Sequence, residues 1–230
     1  FLFGAHLVVV LLSRAARLPW PVVQWSIYVC LLCFFHVSEW FITAVYRPEQ
    51  LSYSSWLIGH SPAYTAAMLA SCLEFWLESL LVPWLKGGTL WLICMTAVCC
   101  VPMAIRCIGM VQAGQNFDHI VMTTRKAGHE LVTSGLYGHL RHPTYFGWFY
   151  WAVASQVLLA NPFCSLAYAY ASQSFFSGRI PYEEESLVAM YGKEYTGYAA
   201  RTPIGIPFIR SFVPYAGSDR AKNSLSSKKS

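Results

Sequence analysis

The stretch TLWLICMTAVCCVPMAI, residues 89–105, carries no charged side chain and contains a single proline. A helix that spans a bilayer needs about 20 predominantly apolar residues, so this run predicts most of one transmembrane helix. The composition of the whole chain agrees, because 56% of its 230 residues are hydrophobic and only 12% are charged. A soluble domain carries about 25% charged residues. We therefore expect an all-α integral membrane protein, and the composition excludes a disordered chain, a collagen and a coiled coil.

Further apolar runs flank this stretch, and together they predict about six helical transmembrane segments. They are residues 1–12, 21–45, 62–85, 145–160 and 163–176. Only residues 86–88 separate the third of these runs from residues 89–105, so the two helices are expected to pack as an antiparallel hairpin. The last two runs are at or below the minimum length for a span. They predict a helical hairpin over 145–176 that either just crosses the bilayer or dips into it.

The charge distribution divides the chain into three parts. All but four of the 16 Lys and Arg residues lie from Arg106 onward, and a basic excess is typical of the cytoplasmic face of a membrane protein. We expect transmembrane helices over 1–110, a polar, cytosol-facing region over 111–210 and a disordered tail rich in Ser and Lys over 211–230. The chain opens without Met inside an apolar run, so we expect native residues to be missing there.

Four ionisable side chains lie within the early apolar runs, where a charge is costly and usually faces the helix bundle or a cavity. They are His36, Glu39, Glu74 and Glu78. Such residues line a substrate path, form hydrogen bonds between helices, or lie near the lipid headgroups. We favour one of the last two for all four. Seven of the eight Cys also lie in apolar runs, where they are expected to act as small hydrophobic side chains.

A dense cluster of polar and aromatic side chains directly precedes the 145–176 hairpin. It consists of His129, Tyr137, His139, Arg141, His142 and Tyr145. Metal binding is disfavoured, since a zinc site needs three or four ligands and no further ligand is suitably spaced. The cluster suits a pocket for a polar organic cofactor, or alternatively a solvated charged border. Because the ends of an antiparallel hairpin meet, residues 179–185 are expected beside it, in a polar helix that starts near Pro181.

Five motifs, taken in order, resemble the isoprenylcysteine carboxyl methyltransferases. The first two are His129-x-Leu-Val-Thr-x-Gly-Leu-Tyr137 and Arg141-His-Pro-x-Tyr-x-Gly-Trp148. The third motif is Asn161-Pro162, and the fourth is Phe175-Phe-x-x-Arg179 followed by Glu183–Glu185. The fifth has two parts, Gly192-x-Glu-Tyr195 and Arg201-x-Pro-x-Gly-x-Pro-Phe-Ile209. Arg-His-Pro-x-Tyr alone is shared with phospholipid methyltransferases and membrane sterol reductases, so the order of the motifs carries the resemblance.

The resemblance implies a multi-pass enzyme of the endoplasmic reticulum membrane whose active site faces the cytosol. It implies transfer of a methyl group from S-adenosylmethionine to the α-carboxylate of a C-terminal prenylated cysteine in CaaX-processed proteins such as small GTPases. Arg179 would bind the substrate and is the expected catalytic residue. The implied cofactor contacts are Met122, His129, Glu130, Leu131, Val132, Tyr137, His142, Pro143, Thr144, Tyr145 and Glu183. The bilayer is the other expected partner, and neither nucleic acid nor metal is expected.

Two positions depart from the family pattern. Relatives often carry Gln where this chain has Met122, so a polar contact to the cofactor is lost or is taken over by backbone. Pro181-Tyr182 replaces the usual acidic start of the Glu183 run.

Two other functions compete with this interpretation. A membrane sterol reductase would use NADPH and would need basic groups for the nucleotide phosphates, for which Arg125, Lys126 and Arg141 are available. A non-catalytic prenyl-lipid binding protein would need neither the His/Tyr cluster nor Glu183.

Overall fold

The computed structural model describes residues 2–13, 15, 17–59, 61–125 and 128–213. All regular structure in these ranges is helical, which confirms the all-α prediction. The seven helices are α1 (Leu2–Leu12), α2 (Trp20–Tyr46), α3 (Pro62–Leu81), α4 (Thr89–Ala113), α5 (Pro143–Leu158), α6 (Pro162–Tyr191) and α7 (Lys193–Arg201). Short 3₁₀ turns lie at Pro48–Gln50, Tyr53–Trp56, Pro83–Leu85, Gly114–Asn116 and Gly135–Gly138. The predicted disordered tail lies, from residue 214 onward, outside the described residues.

Proline begins most of the long helices. Pro62, Pro143 and Pro162 each occupy the first residue of a helix, where the missing N–H would have had no intrahelical partner. The hydroxyl of Ser61 also accepts a hydrogen bond from the Tyr64 amide at 3.1 Å, which caps α3. Gly192, with φ of 55°, ends α6 in a conformation that side chains disfavour.

The close approach of α4 and α5 depends on glycine. A Cβ atom at Gly147 would lie 2.6 Å from the Pro102 carbonyl oxygen and 2.8 Å from the Arg106 nitrogen. At Gly109 a Cβ atom would lie 3.1 Å from Cγ2 of Thr144. The backbones of the two helices therefore nearly touch, and this fixes the start of α5 against the end of α4.

The antiparallel hairpin predicted for α3 and α4 does not form. Instead α3 packs against α6, and α4 packs against α5. The segment between them explains the difference, because the Lys86 ammonium group donates to Oε2 of Glu78 at 2.7 Å and to the carbonyl groups of Leu159 and Ala160 at 3.1 and 3.2 Å. The connection is thus bound to the end of α5, and each helix follows a different member of the α5–α6 pair.

The prediction of a separate polar helix beginning near Pro181 is also wrong. Helix α6 runs without interruption from Pro162 to Tyr191 and contains Pro181. A proline inside a helix removes one hydrogen bond and usually costs stability. Here the preceding turn is held by packing, since Phe176 and Ile180 are fully buried in one cluster with Tyr145. Residues 179 and 183 therefore lie one turn apart on a single helix.

The ionisable residues of the early helices form polar contacts, which is one of the two alternatives favoured from the sequence. Glu74 accepts hydrogen bonds from the amides of Phe163 and Cys164 at 2.8 and 2.7 Å, at the start of α6. Nδ1 of His36 lies 2.8 Å from the Trp56 carbonyl oxygen. Glu78 pairs with Lys86 in the connection described above, and Glu39 pairs with Arg106, a contact that reaches the functional site.

Large apolar side chains cover much of the outer surface. Leu80, Leu90 and Phe163 are 78%, 75% and 75% exposed, respectively, and extensive exposed apolar surface marks a membrane or protein contact. Within the described residues, two helices are long and apolar enough to cross a membrane: α2 (Trp20–Tyr46), and α4 together with the 3₁₀ turn that follows it (Thr89–Asn116). The count of six segments stays a prediction.

Candidate active site

A cavity that is lined by many polar side chains and is partly open to solvent lies where the start of α5 meets the second half of α6. Its wall is built from the segment that follows α4, the 129–137 loop, the first turn of α5, residues 183–191 of α6, and α7. The lining residues are Ala113, Asn116, Phe117, Asp118, Ile120, Val121, Met122, His129, Glu130, Leu131, Val132, Tyr137, Arg141, His142, Thr144, Tyr145, Glu183, Leu187, Met190, Tyr191, Tyr195 and Tyr198.

The structure brings nearly all the residues expected to contact the cofactor to this one cavity. Those that line it are Met122, His129, Glu130, Leu131, Val132, Tyr137, His142, Thr144, Tyr145 and Glu183. Pro143 does not line it; the proline ring packs against Gly109, where it fixes the first turn of α5. Arg179, the expected substrate residue, lies behind Tyr145 rather than in the wall.

A chain of hydrogen bonds joins Arg179 to the cavity. Nε of Arg179 donates to the Tyr145 hydroxyl at 2.9 Å, and that hydroxyl donates to the Glu183 carboxylate. The guanidinium also lies over the Tyr145 ring, 5.5 Å from its centroid. Among the described residues, Arg179 forms no ion pair with an acidic side chain. A half-buried cation therefore stands next to the cavity without an anionic partner of its own.

His142 lies between two acidic side chains. Its ring stacks on that of Tyr145, with the centroids 5.4 Å apart. Nδ1 is 3.8 Å from Glu183 and Nε2 is 3.5 Å from Glu184. The ring is almost completely buried, yet Nε2 forms no hydrogen bond within the described part of the chain. Glu184 still faces this nitrogen, and the interaction of the two groups lowers the pKa of Glu184.

Glu184, which the sequence did not single out, anchors the site to the C-terminal segment. Its Oε1 accepts from Nη1 of Arg141 at 2.6 Å, and its Oε2 accepts from the Ser211 hydroxyl and the Phe212 amide, each at 2.7 Å. Burial alone would raise the pKa of Glu184, but His142 and the Arg141 guanidinium outweigh it and lower that pKa to about 2. The acidic run at 183–185 was the available signal, although it could not show which carboxylate faces inward.

Side chains of neighbouring helices hold the 129–138 loop at the cavity. Oδ1 of Asn116 accepts from the Glu130 amide at 3.0 Å, and Oε1 of Gln112 accepts from the Leu136 amide at 2.9 Å. The Tyr198 hydroxyl donates to the Tyr137 carbonyl group at 2.7 Å. Burial raises the pKa of Tyr137 well above its usual value, so its hydroxyl stays protonated and can donate.

The far wall of the cavity was missed as a functional surface. Leu187, Tyr191 and Tyr195 form an apolar stripe that is visible in the sequence, and all three line the cavity. The Tyr195 hydroxyl is buried and forms no hydrogen bond among the residues described. A stripe at helical spacing predicts packing equally well, so the sequence alone could not assign it to a ligand. In the described ranges, no group of three His, Cys, Asp or Glu is placed to hold a metal ion.

Together these features define a helical membrane protein that encloses a site for a polar ligand at one end of its bundle. The profile of the isoprenylcysteine carboxyl methyltransferase (ICMT) family matches residues 92–189. Protein-S-isoprenylcysteine O-methyltransferase from Xenopus laevis is 44% identical over 211 residues, which are 91% of this chain and 71% of that protein. The human protein of the same name is 43% identical over 91% of this chain and 72% of its own length.

A solved structure agrees with the sequence comparisons. The eukaryotic intramembrane Ras methyltransferase ICMT superimposes with a TM-score of 0.85 at 37% identity, over 91% of this chain and 75% of that one. The chain therefore belongs to the isoprenylcysteine carboxyl methyltransferase family and is a methyltransferase.

Proposed function

We propose that this methyltransferase transfers a methyl group from S-adenosylmethionine to the α-carboxylate of a C-terminal prenylated cysteine, in CaaX-processed proteins such as small GTPases. The observation that carries the proposal is the chain of contacts from Arg179 through Tyr145 to Glu183. It joins a cation without an acidic partner to a cavity with an acidic wall. A carboxylate acceptor and a cationic methyl donor need this pairing of charges.

The side chains that line the cavity suit S-adenosylmethionine in chemistry. Glu183 offers a negative charge, and Tyr137 and Tyr191 offer aromatic faces. When bound, the cofactor supplies a methyl group already activated by the adjacent sulfonium.

The residues proposed to hold the cofactor are those implied by the family motifs. They are Met122, His129, Glu130, Leu131, Val132, Tyr137, His142, Pro143, Thr144, Tyr145 and Glu183. Met122 lines the cavity with a thioether where relatives often carry an amide, so any hydrogen bond to the ligand at that position would come from backbone. Pro143 would act through the backbone turn that it fixes rather than through its ring.

Arg179 is proposed to bind the acceptor carboxylate. Its Nε is bonded to Tyr145 and its Nη2 to the His119 carbonyl group, so the plane of the guanidinium is fixed. Neither of these two hydrogen bonds uses Nη1, which we propose donates to the acceptor carboxylate. A guanidinium binds a carboxylate in a defined orientation, which an ammonium group cannot do.

The reaction requires alignment rather than proton transfer. The pKa of a free α-carboxyl group is about 3.3–3.7, so the acceptor is ionised at neutral pH and needs no general base. What the chain must supply is the orientation of the carboxylate and the exclusion of water, and such positioning can lower a barrier by roughly 7–11 kcal/mol. The burial of Arg141, His142 and Glu184 beside the cavity favours a dry site.

We further propose the membrane arrangement that this chemistry demands. The prenyl chain would enter from the bilayer and the water-soluble cofactor from the cytosol, which places the cavity at the cytosolic face of the endoplasmic reticulum membrane. Residues 1–110 would provide transmembrane helices, 111–210 the catalytic region, and about six segments would cross or enter the bilayer. The polar cavity at one end of α5 and α6 and the apolar outer surface support this arrangement.

A reductase that uses NADPH fits the cavity less well. Arg141 is the one Lys or Arg among the described residues that line the cavity, and it is already paired with Glu184. The phosphates of a bound NADPH would therefore lie mostly beside carboxylates, which would repel them.

Three variants test the proposal. Arg179→Ala should abolish turnover of a prenylcysteine acceptor with little change in the affinity for S-adenosylhomocysteine, and Arg179→Lys should restore little activity. Glu183→Ala should instead weaken cofactor binding, measured by calorimetry. Arg210→Ala removes an exposed arginine and is the matched control. Near-normal turnover in Arg179→Ala would contradict the assignment.

A further inference from the structure

A buried ionic network extends from α2 and α4 to Arg179. Glu39 and Arg106 are 1% and 2% exposed, and Nε of Arg106 donates to Oε1 of Glu39. The second carboxylate oxygen, Oε2, accepts from Nε2 of His119 at 2.9 Å. One carboxylate thus holds an arginine with one oxygen and a histidine with the other.

The network has two arms, one through His119 and one through Arg106, and both lead from Glu39 to the proposed carboxylate site. The backbone carbonyl group of His119 accepts from Nη2 of Arg179. On the other arm, Nη1 of Arg106 donates to the Thr144 carbonyl group at 2.9 Å. Thr144 directly precedes Tyr145, whose hydroxyl accepts from Nε of Arg179 at 2.9 Å. Both hydrogen bonds of the Arg179 guanidinium are therefore connected to Glu39 through this network.

We propose that Glu39 and His119 are positioning residues for methyl transfer. The Glu39 carboxylate fixes the His119 side chain, and through it the His119 carbonyl group that holds Nη2 of Arg179. The proposal rests on the proposed role of Arg179 toward the acceptor carboxylate. Neither residue is assigned a contact with the substrate or the cofactor.

The His119 arm is the more sensitive of the two. The segment from Phe117 to Met122 contains no helix, so its path depends on side-chain anchors. Arg47 supplies one anchor, because it pairs with Asp118 at 2.7 Å and donates to the Phe117 carbonyl group. His119 supplies another through Glu39. Without the His119 anchor its carbonyl group can turn away, and a displacement of about 1 Å at a reacting group can cost about a hundredfold in rate.

Variants of position 119 that differ in side-chain length can distinguish a positioning role of His119 from a general effect on stability. The amide nitrogen of Gln reaches about as far as Nε2 of histidine, whereas that of Asn stops near Nδ1. His119→Gln should therefore keep the bond to Glu39, and His119→Asn should lose it. Both variants remove the imidazole and differ by one methylene group.

We expect the two variants to separate in steady-state kinetics with a farnesylcysteine analogue. The value of kcat/KM for the acceptor should stay within about threefold of wild type in His119→Gln and should fall at least about tenfold in His119→Asn. The affinity for S-adenosylhomocysteine, measured by calorimetry, should change little in either variant. Glu39→Gln should resemble His119→Asn, because the amide cannot accept through both of its terminal atoms.

Glu78→Gln is the matched control, since Glu78 is also a carboxylate paired with a cation but lies at the far end of the α5–α6 pair. It should lower the melting temperature and leave kcat/KM near wild type. Equal activity in the Gln and Asn variants of His119 would overturn the proposal, as would a parallel loss of cofactor affinity. If Arg179→Ala were fully active, the role of Arg179 itself would fail, a result distinct from a failure at His119 alone.

Discussion

Nη1 of Arg141 lies 2.6 Å from Oε1 of Glu184, and both side chains are almost wholly inaccessible to solvent. The pair also binds the C-terminal segment. Nε of Arg141 donates to the Thr202 carbonyl group at 2.5 Å, and the Glu184 carboxylate accepts from the Ser211 hydroxyl. One ion pair therefore joins the start of the Arg-His-Pro motif, the acidic run of α6 and residues 202–213. Because His142 follows Arg141 in the chain and faces Glu184, the pair also holds His142 beside the cavity.

Removing one member of this pair should destabilise the fold strongly. Glu184→Ala leaves the Arg141 charge buried without its carboxylate, and breaking a buried pair in this way costs about 3–5 kcal/mol. Glu185→Ala removes the neighbouring exposed carboxylate and should change stability by less than about 0.5 kcal/mol. Thermal unfolding in detergent compares the two, and equal melting temperatures would show that the pair contributes nothing.

The stability supplied by Glu184 should depend on pH in a defined window. Its pKa is lowered from 4.5 to about 2 in the folded protein, so its contribution is complete above pH 4.5 and is lost as the pH falls toward 2. The groups that face it are Arg141, His142 and Ser211. The difference in unfolding free energy between wild type and Glu184→Gln should therefore shrink over that range. A difference that stays constant from pH 4.5 to 2 would contradict the assignment.

The Tyr145 hydroxyl should matter for activity more than for folding. Tyr145→Phe keeps the ring that stacks on His142 but removes the oxygen between Arg179 and Glu183. We expect kcat/KM for the acceptor to fall by about ten- to a hundredfold, since a misplaced group can cost that much. Tyr150→Phe, on the same helix, removes a hydroxyl bonded to the Gly205 carbonyl group at 3.2 Å and is the control. Similar kinetics in the two variants would exclude a special role for Tyr145.

The contact between α4 and α5 should not tolerate a methyl group. Gly147→Ala would place a Cβ atom 2.6 Å from the Pro102 carbonyl oxygen, and such overpacking typically costs about 1–3 kcal/mol. Gly197→Ala, in α7, meets open space and should be neutral or stabilise the helix by about 0.5–1 kcal/mol. Denaturant or thermal unfolding of both variants tests this, and a stable Gly147→Ala protein would mean that the two helices can separate.

Sequence patterns predicted helices and motifs better than they predicted contacts between helices. Hydropathy and proline placement located the apolar helices, because both act locally, but they did not predict α7. The pairing of α3 with α6 was not predictable, since it depends on Lys86 binding carbonyl groups about 70 residues away. The continuity of α6 through Pro181 was missed for a related reason, because tertiary packing of Phe176 and Ile180 outweighs the local preference of proline.

The cavity, too, was predictable where it depends on local sequence and not where it depends on distant contacts. Most of the cavity residues from the second half of the chain belong to the family motifs. The resemblance also predicted that Arg179 lies near them. Glu39, His119 and Arg106 were not connected to the site, because their contacts join α2 and α4 to a loop that has no periodic pattern. A buried carboxylate in an apolar run signals a polar contact, but the partner is visible only in three dimensions.

The chemistry of the acceptor gives the most direct test of the proposed mechanism. A farnesylcysteine analogue with a free carboxylate should be methylated, whereas the corresponding carboxamide should not, because a neutral amide is a poor nucleophile and gains little from Arg179. In the described residues Arg179 is held by Tyr145 and the His119 carbonyl group, neither of which is placed to remove a proton from an amide. The carboxamide should still bind, since the prenyl chain is unchanged, and should therefore inhibit methylation of the acid. Transfer of a radiolabelled methyl group measures both compounds in one assay, and label incorporated into the carboxamide would rule out a mechanism in which an ionised carboxylate needs only to be positioned.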